Sequence, residues 1–220
     1  MTAGLVIFDC DGVLIDSEPI VNRAHAETLN ASGFTVGEVD LLARFCGMSD
    51  KDMLATLERE HHRSLPPDYR DRVAAVVARE YRISLKAMDG VAEVLAQLDL
   101  PFCVASSSVP AQIRLGLEVT GLINFFGDRL FSATMVARGK PAPDLFLYAA
   151  EQMRAAPRTC VVVEDSLPGV TAAVAAGMVA IGFTGGDHCL PGHGTRLRGV
   201  GAALVVEHMS QLPAAFVSLL

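Results

Sequence analysis

No apolar run in this 220-residue chain reaches the roughly 18 residues that a membrane-crossing helix needs, so a membrane partner is not expected. The opening Met1-Thr-Ala-Gly4 has no basic stretch and no cleavage pattern, and it passes straight into an apolar segment. A cytoplasmic protein is therefore the expectation. Basic charge is in deficit: 18 Lys and Arg stand against 25 Asp and Glu, a net charge of −7. No basic stripe is interleaved with aromatics, which argues against nucleic acid as a partner. An acidic chain that handles anions must gather positive charge locally, from a metal or a few well-placed bases. The five cysteines, Cys10, Cys46, Cys103, Cys160 and Cys189, are odd in number and none lies close to another. That argues against a disulfide framework and a zinc ribbon. There is no internal repeat and no low-complexity segment.

Half of the chain, 51%, is hydrophobic, enough for a substantial core. Five continuous apolar runs read as buried strands: Leu5–Phe8, Phe102–Ala105, Cys160–Val163, Met178–Phe183 and Ala203–Val206. Continuous rather than alternating runs suit a parallel sheet covered on both faces. Helical segments fall between them, over Pro110–Glu118, Pro143–Met153 and Pro168–Ala176, with Gly177 as a stop. The alternation predicts an α/β fold, a doubly wound parallel sheet of Rossmann-like character. From about Pro19 to Met88 only helical periodicity is present, so residues 18–88 are expected to form an inserted all-helical domain. The core is then 1–17 and 89–220, re-entered at the turn Asp89-Gly90. The glycine-rich stretch Gly185 to Gly201 reads as a long loop.

The segment Phe8-Asp9-Cys10-Asp11-Gly12 sets two carboxylates two residues apart after a buried strand. Such a strand end opens into the ligand crevice of an α/β sheet, and two acids so close repel unless a cation or shared proton intervenes. A turn or helix cap is the plainer reading of Asp and Gly there. Ser106-Ser107-Ser108 puts hydroxyls at a second strand end before a helix, either as an anion site or as a simple cap. Lys140 sits among prolines just before a helix, where a solvated surface charge is the alternative. Glu164-Asp165 is a further acidic pair at a strand end, costly unless it binds something. Cys10 has no readable base partner and reads as a core thiol. His188 and His193 in the glycine-rich loop lack an evident third ligand for a metal. Asn22, Arg23 and Arg44 read as solvated helix residues rather than ligands.

The set Asp9-x-Asp11-Gly-Val-Leu14, Ser106, Lys140-Pro-Ala-Pro-Asp144 and Glu164-Asp165-Ser166-x-x-Gly169, with Asp16-Ser-Glu-Pro19, resembles the haloacid dehalogenase superfamily over the whole chain. It resembles most the branch of β-phosphoglucomutase and sugar-phosphate phosphatases, in which residues 18–88 would be a cap. The resemblance implies that Asp9 is a nucleophile towards phosphorus and that Asp11 is the proton donor and acceptor. Ser106 and Lys140 would hold the phosphoryl oxygens. Mg2+ would lie on Asp9, the Asp11 backbone carbonyl, Glu164 and Asp165. Gly12, Ser107, and Gly47 and Lys51 of the cap loop would touch substrate. The branch's cap-loop arginine aligns with Asp50 and the mutase's cap histidine with Val21, two departures that favour hydrolysis over phosphomutase chemistry. Asp11 argues against a metal-free dehalogenase, and the intact acidic set against a silent phosphate-binding regulator. The expected substrate is a small phosphorylated metabolite, a sugar or sugar-acid phosphate. The stretches Phe8–Gly12, Asp128–Ser132 and Met209–Pro213 are similar to bacterial phosphatases acting on 6-phosphogluconate. A monomer or weak homodimer is expected.

Overall fold

The computed structural model describes residues 4–45 and 50–219. Six strands form one parallel sheet in the order β3-β2-β1-β4-β5-β6. They are β1 (Leu5–Phe8), β2 (Phe102–Ser106), β3 (Leu130–Ser132), β4 (Cys160–Glu164), β5 (Val179–Phe183) and β6 (Leu204–Val206). β1 pairs with both β2 and β4, Phe8 opposing Val104 on one side and Val163 on the other. Successive side chains of a strand point to opposite faces. Val6 and Phe8 accordingly join one apolar cluster, and Leu5 and Ile7 the other. Both faces are covered, which is why these strands read as unbroken apolar runs.

Between β1 and the turn at Gly90 lie four helices: α1 (Glu18–Ala31), α2 (Glu38–Phe45), α3 (Asp50–Glu60) and α4 (Tyr69–Ser84). No strand interrupts them among the described residues. Their entry and exit run side by side. The Asp16 amide donates to the Lys86 carbonyl and the Met88 amide to the Leu14 carbonyl, both at 3.0 Å. The helices α5 (Val91–Gln97), α6 (Pro110–Val119) and α7 (Ile123–Phe126) follow, and α11 (Leu212–Ser218) closes the chain on the Phe8 side of the sheet. The Ile7 side is covered by α8 (Asp144–Gln152), α9 (Leu167–Ala175) and α10 (His193–Gly199).

Two expectations need correction. Leu130–Ser132 is a strand, and it forms the sheet edge against β2. The stretch from Gly185 to Gly201 is not loop throughout, because α10 occupies its second half. Gly192 adopts φ +84 immediately before it, and His193 and Leu197, four apart, bury one face. No helix among the described residues is long and apolar enough to cross a membrane.

Candidate active site

Strand order reverses between β1 and β4, the place where an open α/β sheet binds its ligand. Asp9 follows β1 and Glu164 ends β4, so the sequence's two acidic motifs meet at that point. The Asp9 amide donates to the Val163 carbonyl at 3.0 Å, which locks the two strand ends together. Asp9, Glu164 and Asp165 are all buried, and each offers an oxygen within 4.8 Å of the others. Hard oxygen donors in a buried cluster fit a divalent cation of the Mg2+ type better than a soft metal.

Lys140 enters from the segment before α8, with its side chain only 4% exposed. Its ammonium donates to Asp9 Oδ1 at 2.6 Å, Glu164 Oε1 at 2.7 Å and the Ala105 carbonyl at 3.0 Å. All three of its donors are thereby used. Phe146 lies beneath it, 4.9 Å from ring centre to Nζ. Burial works against the charge, but Asp9 and Glu164 outweigh it and hold the Lys140 pKa above its ordinary value. Burial also drives Asp9 well above the usual carboxylate range; Lys140 pulls it back, while Glu164, Asp165 and Asp11 push it further up. Glu164 is raised for the same leading reason. Lys140 on Asp9 and Glu164, even with the His188 ring on Asp165, does not neutralise three buried carboxylates, and the cluster as it stands calls for another cation.

Glu164 Oε2 accepts from the Ser166 amide at 2.7 Å and the Ser166 hydroxyl at 2.8 Å. The same hydroxyl accepts from the Gly169 amide at the start of α9. A side chain at 169 would run into the Glu164 carboxylate, which is why glycine stands there. Gly12 carries the same restriction twice over: its φ is +76 and a Cβ would strike Asp165 Oδ2.

Asp11 occupies a different environment. Its carboxylate accepts from Ser17 Oγ at 2.8 Å, Ser108 Oγ at 2.7 Å, Ser106 Oγ at 3.1 Å and Tyr81 Oη at 3.2 Å. Four hydroxyl groups thus hold its two oxygens in place. Ser106 thus lies on Asp11, and its oxygen also accepts from the Ser108 amide at 3.0 Å. Ser107 is exposed one residue away. Ser108, Ser17 and Tyr81 were not singled out from the sequence as site residues. A period of two carried past the end of β2 would have linked Ser108 to Ser106. Tyr81, at 1% exposure on α4, had no such signal. It ties the helical segment to Asp11 and accepts from Gln112 Nε2 at 3.3 Å. Tyr81→Phe removes both bonds and is expected to lower stability by about 1–2 kcal/mol, about 1 kcal/mol being the usual net worth of each. The midpoint of urea unfolding measures it, and an unchanged midpoint would show that the two bonds contribute nothing.

The remaining expectations divide. Gly47 and the side chain of Lys51 lie outside the described residues. Asn22 donates to the Glu18 carbonyl, Arg23 pairs with Glu38, and Arg44 pairs with Asp40 and Glu60. These pairs sit on exposed helix surface. Cys10 is fully buried, and burial pushes its thiol well above the ordinary range, which makes it inert. His188 and His193 both reach Asp165, one at its carboxylate and one at its backbone.

The model of the haloacid dehalogenase-like hydrolases matches residues 4–177. The chain belongs to that family. The 6-phosphogluconate phosphatase of Escherichia coli K12 is 30% identical over 209 residues, covering 94% of this chain and 92% of its own. A haloacid dehalogenase-like protein from Agrobacterium tumefaciens superposes with a TM-score of 0.87 at 36% identity, with 99% of each chain covered. A Thermotoga maritima protein assigned to the β-phosphoglucomutases superposes at 0.76 with 28% identity over the full length of both chains. Within the family, the chain lies in the branch related to β-phosphoglucomutase.

Proposed function

We propose that this haloacid dehalogenase-like hydrolase removes phosphate from a sugar or sugar-acid phosphate, with 6-phosphogluconate the first candidate, through a phosphoryl-aspartate on Asp9. The chain is a phosphoric monoester hydrolase. The observation that carries the finer reading is the arrangement of Asp9 at the switch point, buried against Lys140 and flanked by Glu164 and Asp165.

In this reading an Asp9 carboxylate oxygen forms a bond to phosphorus as the bond to the ester oxygen breaks. The departing oxygen takes its proton from Asp11, which must first have gained one from solvent. Water then attacks phosphorus, gives its proton to Asp11, and frees inorganic phosphate and Asp9. Asp9, Asp165 and the Asp11 backbone carbonyl would hold Mg2+, with Glu164 supporting. When bound, that ion offsets the repulsion between carboxylate and phosphate. Lys140 neutralises charge beside the nucleophile and fixes the Asp9 oxygen it touches. Ser106 and Ser108 orient Asp11, and Ser107 with the adjacent backbone faces the phosphoryl group. Residues 18–88 act as a cap that excludes water and selects the sugar, its loop at Gly47 and Lys51 touching the non-phosphate end.

A panel of phosphorylated sugars and sugar acids, read by released phosphate, tests this. Release of phosphate, fastest from a sugar-acid or sugar phosphate, is expected. An isomerised sugar phosphate with no free phosphate would replace the reading by a phosphomutase. Turnover of none of the panel would remove the substrate class.

A further inference from the structure

The segment after β5 folds back onto Asp165 from two directions. His188 Nε2 lies 2.7 Å from Asp165 Oδ2. His193 Nε2 lies 2.5 Å from the Asp165 backbone carbonyl. Both histidines are buried, at 6% and 2% exposure. Arg196 bears only donors, so its contact of 3.1 Å with His193 Nδ1 makes that nitrogen the acceptor. The proton of His193 is then on Nε2, aimed at the Asp165 carbonyl. The His188 ring is seated just as closely. A Cβ on Gly186 would run into the ring, and one on Gly12 would come within 3.0 Å of its Cε1 while striking Asp165 Oδ2. Two glycines thus make room for one imidazole and the carboxylate it holds.

We propose that His188 and His193 are positioning residues for Asp165, and that His188 makes Asp165 a one-oxygen ligand and so biases the site towards Mg2+ over Ca2+. The inference rests on the reading of Asp165 as a metal ligand proposed above. The imidazole N–H takes up Oδ2, which leaves Oδ1 as the oxygen for a cation. Ca2+ gathers six to eight oxygens and readily takes both oxygens of a carboxylate, whereas Mg2+ requires a small octahedral shell. A carboxylate with one oxygen engaged suits the second ion. His193 acts one step further back: it fixes the main chain that carries the carboxylate, and Arg196 fixes His193. Partners of this kind, which hold a ligand rather than the metal, commonly account for ten- to hundredfold in affinity.

The test is calorimetric titration of the metal-free protein with MgCl2 and, separately, with CaCl2, for the wild type, His188→Ala and His188→Gln. The alanine variant is expected to bind Mg2+ about 10- to 100-fold more weakly, with a smaller loss for Ca2+, so that the preference narrows. Glutamine can return an N–H near the position of Nε2 and should recover most of the difference. His188→Asn, one bond too short to reach Oδ2, carries the same comparison should the alanine variant fail to fold. Equal losses for both ions, wild-type constants for both, or a glutamine variant as defective as alanine would each overturn the proposal while leaving Asp165 as a ligand. A wild-type protein that binds neither ion would overturn the metal reading and this inference together.

Discussion

Asp9→Asn is expected to abolish turnover while leaving the metal-free protein no less stable than the wild type. The first half follows from the covalent route proposed for Asp9. An amide cannot accept the phosphoryl group as a carboxylate does, so the variant loses the pathway rather than a fraction of binding, and losses of about a thousandfold or more accompany such removals. The second half follows from the electrostatics of the buried cluster. Burial holds the Asp9 pKa well above the ordinary range even with Lys140 2.6 Å away. For an acid whose folded pKa is raised, the native state binds more protons than the unfolded chain between the two pKa values. Stability therefore falls as pH rises from the unfolded value, near 3.9, towards the folded one. Asparagine removes the group that suffers this and keeps its shape. Lys140 retains Glu164 and the Ala105 carbonyl as acceptors. Steady-state rates together with thermal melts in chelator check both halves. A retained rate above about a hundredth of wild type would remove Asp9 as the nucleophile. A clear drop in melting temperature would mean that the Lys140 pair outweighs repulsion among the acids.

The central strands were legible because nothing about them is ambiguous. Leu5–Phe8 and Cys160–Val163 are covered on both faces, so every residue is apolar and the signal needs no periodicity. Leu130–Ser132 escaped because it has only three residues, pairs on one side alone, and is preceded by Asp128 and Arg129. The helix at His193–Gly199 escaped because only His193 and Leu197 are buried within it, too few positions to show a period amid glycine and arginine.

The site divides in the same way. Asp9, Asp11, Lys140, Glu164 and Asp165 announce themselves as charged residues at the ends of apolar strands or at a helix start, where local sequence carries the cost of burial. Sheet order then brings most of them together: Asp9, Lys140, Glu164 and Asp165 share one buried cluster, and Asp11 stands beside it among hydroxyls. The residues that hold these groups are chemically ordinary. Ser17 and Ser108 are serines near a motif, and Tyr81 lies within α4, 70 residues from Asp11. His188 lies 23 residues beyond Asp165 in a glycine-rich stretch. Contacts of this kind are made by tertiary packing alone. They depend on where glycines at 12 and 186 leave space, which no local pattern encodes.

Chelation of divalent cations is expected to stop turnover completely, and Mg2+ to restore it. Asp9, Glu164 and Asp165 are buried with oxygens within 4.8 Å of one another, with Lys140 on Asp9 and Glu164 and the His188 ring on Asp165. Repulsion in that arrangement is a standing cost that a divalent ion removes, so binding must also stabilise the fold. At a cation concentration a hundred times its dissociation constant, linkage gives about 2.7 kcal/mol. For a chain of this size each kcal/mol moves the melting temperature by about 2–4 °C. A rise of several degrees on adding MgCl2 to the metal-free protein is thus the expected reading without any substrate present. Ca2+ should raise the melting temperature less than Mg2+ and should fail to restore turnover, because its longer and more variable oxygen distances do not hold the nucleophile and phosphate at one spacing. The two readouts separate two ways of failing. A melting temperature that ignores Mg2+ would mean that the three acids bind no ion and are held by Lys140, His188 and proton sharing. A melting temperature that rises while turnover survives exhaustive chelation would mean that the ion is structural, and that Lys140 by itself supplies the charge the Asp9 attack requires.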